Sequence, residues 1–295
     1  MTFFRLLLKL NFIFILATPL HAEDHSRSRY LMGTLLTISA PVNAQYAVTA
    51  AFRTVADAES WMSTHRSESE LSQLNAKAGS GPVLVSKPLW DMLMEAKKYW
   101  QLSNGTFDPA YRSKGGFIRI IFNADSQSVS LPKGVDIDLG GIGKGWALDR
   151  AAETLRAHGV TSAQLNFGGQ ILVFSPSLKS ETRLVEVADP ACHRAALSTS
   201  RSLCSTTKMN ITNGSISTSG MVERPAHIID PNTGESSPRL GSISIAAQSA
   251  TAADAWSTAV FVGGLNQLPK SLCALEINNK NTVWHGDCKL LRRTS

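Results

Sequence analysis

An α+β fold, with a mixed β-sheet core and packed helices, is what this sequence predicts, and three observations carry that prediction. Strand-like and helix-like periods both occur, they do not alternate in regular βαβ units, and no repeat at a fixed period organises them. The chain has 295 residues, 43% of them hydrophobic and 18% charged, which fits a globular protein able to bury a real core. Disordered, collagen-like and coiled-coil classes are thereby excluded. The formal charge is +6, from 29 basic and 23 acidic residues, with no block of five or more basic residues, so nucleic acid is not expected as a partner.

Residues 1–22 are expected to precede the fold. Arg5 and Lys9 are followed by an apolar run from Phe12 to Leu20 and by small Ala22, the pattern of a cleavable secretory signal. The run is too short for the roughly 20 apolar residues that span a bilayer. Residues 23–295 are then expected to form one periplasmic domain, with membrane contact only through the signal during export. In an oxidising compartment Cys192 with Cys204, and Cys273 with Cys288, would close short local loops, although four cysteines permit three connectivities. No C-x-x-C is present, so a zinc site is not favoured.

Residues 30–40 are β-compatible, with Leu36 and Ile38 alternating with Thr37 and Ser39, and predict a first strand. From Gln45 to Met62, the residues Val48, Phe52, Val55, Ala58 and Met62 recur three or four apart and predict a helix with one buried stripe. The polar stretch 65–81 ends in glycines and reads as a loop. Pro88 opens a second helix, which presents Leu89, Leu93, Ala96 and Trp100 on one face and stops at Asn104-Gly105. A hairpin is predicted over 117–131, turning near 123–126, and a helix over 145–158, closed by Gly159. Strands are expected near 163–174, 183–188, 214–218, 226–230 and 241–247, then an Ala-rich helix over about 251–263 and a short strand pair at the end.

Three stretches could carry chemistry. Asp138 to Asp149 packs Gly140, Gly141, Gly143, Gly145 and Lys144 just before a helix. Glycines let backbone approach a ligand, a helix start offers unpaired N–H groups, and Lys144 adds positive charge, so the stretch reads either as a phosphate cradle or as a tight turn packing a helix on a sheet. It is neither a Walker A nor a dinucleotide fingerprint, since no Ser or Thr follows Gly-Lys and Trp146 stands where the last glycine belongs. Asp254 and Thr258 lie four apart on a helix, where a carboxylate and a hydroxyl could share one hard cation such as Mg2+, or simply form a solvated face. His227 precedes the turn Asp230-Pro-Asn-Thr-Gly234, and could be either a structural group or a base.

Taken in order, these segments resemble the ApbE-type FAD:protein FMN transferases. The resemblance runs through Met32-Gly33-Thr34, Ser69 to Asn75, Gly105 to Pro109, Asp138 to Asp149, Asn166 to Gly169, Thr218-Ser-Gly220, His227 to Gly234, and Ala253-Asp254 to Thr258. It implies binding of FAD as substrate, dependence on Mg2+, and transfer of the FMN half to a Thr or Ser of a periplasmic or membrane-bound acceptor flavoprotein, with AMP leaving. It assigns the metal to Asp254, Thr258 and the backbone carbonyl of Gly143, where the family usually has Ala. It makes His227 the base for the acceptor hydroxyl, with Asp230 and Thr233 shaping the loop. Met32, Asn75, Asp108, Lys144, Asp149, Gly168, Gly169, Thr218, Ser219, Gly220 and Asp230 fall in segments that look like the flavin-nucleotide site. Segments 110–137 and 221–226 are shorter than in the family, and Ala110 replaces the usual Thr. The two shortened segments leave open a flavin carrier that matures a periplasmic redox enzyme, and an FAD pyrophosphatase, with water in place of the protein hydroxyl, is a further alternative.

Overall fold

The structure, a computed structural model, describes residues 24–113, 115–176, 183–188, 206–220, 228–278 and 281–293. The expected signal, the Cys192–Cys204 pairing, His227 and the shortened segment 221–226 lie outside the described residues.

β1 (Asp24–Leu31) and β2 (Thr34–Pro41) form a hairpin where composition suggests a single strand. Met32 and Gly33 make its two-residue turn, with φ of 46° and 77°. Turns of this hand favour Asn-Gly or Gly-Gly, so a methionine in the first position hides the reversal from a composition-based reading. The predicted first helix is α1 (Gln45–Met62), and its stripe from Val48 to Met62 is buried as its period requires. Inside the polar stretch expected to be a loop lies α2 (Glu70–Ala76). The Ser69 hydroxyl accepts the Ser72 N–H at 3.1 Å and caps it, while Leu71 and Leu74 anchor it in the core. Two anchors in seven residues are too few to register as a period.

β3 (Pro82–Leu84) precedes α3 (Lys87–Leu102), whose N-cap is Ser86 and whose end is turned by Asn104 and Gly105 at φ 51° and 80°. β4 (Ile121–Asn123) and β5 (Ser128–Ser130) are the predicted hairpin, and β3 adds to the far side of β5 to make a three-stranded sheet. α4 (Gly143–Ala157) follows, then β6 (Ala163–Phe167) and β7 (Gln170–Phe174), two strands about a Gly168-Gly169 turn. β8 (Arg183–Ala188), β9 (Thr206–Ile211), β10 (Gly214–Gly220) and β11 (Ser242–Ala247) lead to α5 (Ala250–Gly263). β12 (Cys273–Ile277), β13 (Thr282–Gly286) and β14 (Leu291–Arg293) end the fold. Near 226–230, the described residues show only a single bridge between Ile229 and Ser236, which closes the Asp230 turn.

The main sheet has eight strands in the order β1-β2-β6-β7-β10-β11-β12-β13, every neighbouring pair antiparallel. One face packs on the helices through Leu36, Leu165, Phe167, Ile243 and Ile245; the other packs on β14-β9-β8 through Ile171, Ile216, Leu275 and Met209. This three-layer arrangement explains two burial patterns. β7 and β11 are covered on both faces and buried throughout, whereas β2 alternates because only one of its faces is covered. The Cys273–Cys288 bridge ties β12 to the segment entering β14, so one of the two local pairings that the sequence offers is formed.

α4 lies between α1 and α5. Its approach to α5 is set by Gly145, where a Cβ would stand 2.3 Å from the Ala250 carbonyl oxygen and 2.8 Å from the Asp254 Cβ. No side chain fits there, and the crossing requires glycine.

Candidate active site

The site is assembled where the start of α4, the middle of α5 and the end of β10 converge. Asp149, in α4, fixes α5 from its first turn. Its carboxylate accepts the N–H groups of Ala250 and Thr251 at 2.9 Å each, and the hydroxyls of Ser249 and Thr251 at 2.8 and 2.6 Å. Four donors, all from the start of α5, converge on its two oxygens, so the structure gives Asp149 a helix-anchoring role. It supplements the N-cap Ser249 from outside the helix, favoured there because a carboxylate satisfies unpaired N–H groups and complements the positive end of the helix dipole.

One turn further along α5, Asp254 is only 4% exposed, which excludes the solvated helix face that its sequence position allowed. Its Oδ2 accepts the Gly145 N–H at 3.0 Å, and its Oδ1 accepts the Ser217 hydroxyl at 3.0 Å with Lys144 Nζ at 3.6 Å. Thr258, four residues on, faces the same glycine stretch. Its Oγ1 stands 3.2 Å from where a Cβ on Gly141 would be, with Phe107 3.3 Å from that same point. Ser219 Oγ lies 2.8 Å from Ser257 Oγ and 3.4 Å from Thr258 Oγ1. Gly143 opens α4, its N–H donating to the Leu139 carbonyl at 2.7 Å, and Met32 and Met62 flank it. Met32 thus reaches the glycine stretch from the β1–β2 turn.

Among the described residues, the donors around Asp254 and Thr258 are carboxylate and hydroxyl oxygens, with no Cys or His among them. Among the described residues no group of three or more His, Cys, Asp or Glu could enclose a metal. A hard cation that keeps much of its shell as water or phosphate oxygen, as Mg2+ does, fits such a sparse oxygen set.

The other residues singled out from sequence are distributed differently. Asn75 pairs both ends of its amide with the backbone of Ile137, at 2.8 and 2.9 Å, and so clamps the irregular segment that enters the glycine stretch. Asp230 holds its own turn, accepting Asn232 N–H at 2.9 Å. Thr218 points to the opposite face of the sheet and bonds Ser244 across the β10–β11 pair at 2.7 Å. These three have structural partners in the fold. Gly168 and Gly169 form the β6–β7 turn, where a Cβ on Gly168 would meet Thr34 at 2.7 Å, and Gly220 ends β10. Asp108 is half-buried, and that burial pushes its carboxyl up to about 6, against the opposing pull of the Ala110 N–H and Trp100. Asp138, at the head of the glycine stretch, accepts Gly140 N–H at 2.8 Å, Arg112 at 2.6 Å and the Tyr111 hydroxyl at 3.2 Å.

Ser217 and Ser257 were not singled out by sequence reasoning. Parity would have found Ser217, since residues 217 and 219 share one face of a strand and 218 does not.

Comparisons with known proteins bear on this arrangement. A model of the ApbE family matches residues 32–116 and 112–278. An FAD:protein FMN transferase of Treponema pallidum is 31% identical over 82% of this chain and 79% of its own length. Another, from Klebsiella pneumoniae, is 25% identical over 82% of this chain and 84% of its own. Among solved structures, the ApbE protein of Thermotoga maritima superposes with a TM-score of 0.79 at 23% identity, covering 92% of this chain and all (100%) of that one. The flavin transferase ApbE of Vibrio cholerae gives 0.73 at 21% identity, over 91% of this chain and 98% of that one. Similarity at that level of identity shows a shared fold.

Proposed function

The chain belongs to the ApbE family, and from that premise we propose that it is an exported, Mg2+-dependent FAD:protein FMN transferase. Its substrates would be FAD and a Thr or Ser hydroxyl of a periplasmic or membrane-bound acceptor flavoprotein. The acceptor oxygen attacks the phosphorus next to riboflavin, a new phosphoester bond forms, the diphosphate P–O bond breaks, AMP leaves, and the hydroxyl proton passes to a base.

The observation that carries this reading is the burial of Asp254 against the glycine stretch, with Thr258 one turn away on the same side. A buried carboxylate aimed at a helix start and a lysine is an arrangement for handling a cation and phosphate together. Asp254 and Thr258 would hold Mg2+, with the Gly143 carbonyl as the third donor. Bound there, Mg2+ would neutralise charge that builds on the diphosphate as AMP departs. The Gly145 N–H and the Ser217 hydroxyl fix the Asp254 carboxylate, and Ser219 with Ser257 restrains the Thr258 side. Lys144 meets phosphate charge, and Met32 packs beside Gly143. His227 is assigned as the base by its place in the family's motif.

The test incubates the purified chain with FAD, Mg2+ and a candidate acceptor domain, and weighs the acceptor. Gain of one FMN, lost by at least about a hundredfold in rate in Asp254→Ala and in His227→Ala, is expected. AMP release with no acceptor present would instead mark an FAD pyrophosphatase. Tight flavin retention without AMP would mark a carrier.

A further inference from the structure

Lys144 stands in the first turn of α4, and its Nζ is 3.6 Å from Asp254 Oδ1, the oxygen that also accepts the Ser217 hydroxyl. Asp254 is buried, while the Lys144 side chain keeps 30% exposure at the rim of the site. The other contacts of the carboxylate, the Gly145 N–H and the Ser217 hydroxyl, are neutral dipoles. A buried carboxylate needs an opposite charge, and among the described residues Lys144 is the ion-pair partner that supplies it. A divalent ion on the same oxygen would meet the ammonium at close range, where two positive charges repel strongly. The lysine stem is long and flexible enough to swing away, and the anion it would then meet is the dinucleotide's diphosphate.

We infer that Lys144 is a stand-in cation: it neutralises Asp254 in the free protein, is displaced when the divalent ion binds, and is thereby released to the diphosphate of FAD. The inference rests on the assignment of Asp254 as a metal ligand above. It makes metal and FAD binding cooperative through one side chain, and the coupling is reciprocal by linkage. A Lys144 with a purely structural ion pair would oppose nothing and couple nothing.

The test is a binding experiment on the full chain, with Mn2+ followed by electron paramagnetic resonance and FAD by flavin fluorescence. In the absence of FAD, Lys144→Met is expected to bind Mn2+ about tenfold more tightly than the unaltered chain, because competition at Asp254 is removed. The same variant should bind FAD more weakly, and the factor by which Mn2+ tightens FAD should shrink. Lys144→Gln, which keeps a polar tip, must show the same signs, and circular dichroism checks that both variants are folded. Unchanged or weaker Mn2+ binding in the folded variants overturns the stand-in role. Asp254→Asn separates the two levels of argument. If it abolishes Mn2+ binding while the Lys144 variants fail to tighten it, only the coupling is wrong; if it leaves Mn2+ binding intact, the metal site itself is wrong and the coupling falls with it.

Discussion

Along β10, neighbouring residues serve opposite sides of the main sheet. Ser217 and Ser219 face α5, where one bonds Asp254 and the other reaches Ser257 and Thr258. Ile216 packs into the second core with Met209 and Leu275, and Thr218 pairs with Ser244 on that same side. The two faces carry the same kinds of side chain, since hydroxyls occur on both. What differs is the partner: a buried carboxylate and a helix on one side, another strand hydroxyl on the other. A three-residue string such as Thr218-Ser219-Gly220 therefore marks a segment of the site without saying which of its members enters it, because the pleat sends alternate residues in opposite directions.

The largest expected effect comes from pushing the functional face away from its helix. In Gly145→Ala the new methyl would overlap the Ala250 carbonyl at 2.3 Å, so α4 and α5 must separate. A loss of about 3 kcal/mol of stability is expected, since backbone on both sides leaves little room to relax. At this chain size that lowers the melting temperature by roughly 10 °C in a calorimetric scan. The Gly145 N–H would also leave Asp254, and the Ser217 contact would loosen with it. In the Gly145→Ala background, Ser217→Ala should then cost less than it does alone, a non-additivity that a double-mutant cycle reads directly. Additive effects would mean that the two contacts to Asp254 are independent.

The middle-sized effect contrasts the faces themselves. Ser217→Ala removes a hydrogen bond to a buried charged acceptor and should cost about 2 kcal/mol in denaturant unfolding. Thr218→Ala removes a hydrogen bond at an exposed side chain where water can take the vacated place, so less than about 1 kcal/mol is expected. Transfer activity should fall in the first variant and stay near normal in the second. Equal effects would erase the distinction between the two sides of β10.

Much of the fold was legible because strong periods and punctuation survive any context. α1 matches its expected bounds, α3 stops at Asn104-Gly105, and β8 spans 183–188 as read. α2 escaped because seven polar-rich residues carry two core contacts, and β9 because its alternation is weak. In the site, the glycine stretch and the Asp254–Thr258 spacing were legible, being local. The partners of Asn75, Asp149 and Thr218 were not legible, because each lies far away in sequence, at Ile137, at the start of α5 and at Ser244. Spacing along the chain says nothing about such partners. The direction of a side chain is decided by register and packing, which only the assembled sheet supplies.

The smallest effect sharpens the contrast by staying on the functional side. Gly143 lies two residues before Gly145 in the same stretch, yet a Cβ on it would stand 3.5 Å from Met62 Sδ and 3.6 Å from Met32 Cε, ordinary contact distances. Its φ is not among the positive values that demand glycine. Gly143→Ala should therefore stabilise the chain by about 0.5 kcal/mol, mainly by restricting the unfolded state. Its backbone carbonyl is unchanged, so a metal held there would bind as before. A small rise in melting temperature with Mn2+ affinity unaltered is the expected pair of results. A fall in either would mean that the two methionines grip this position more tightly than their distances indicate, and that both glycines, not Gly145 alone, are required for α4 to present its first turn to α5.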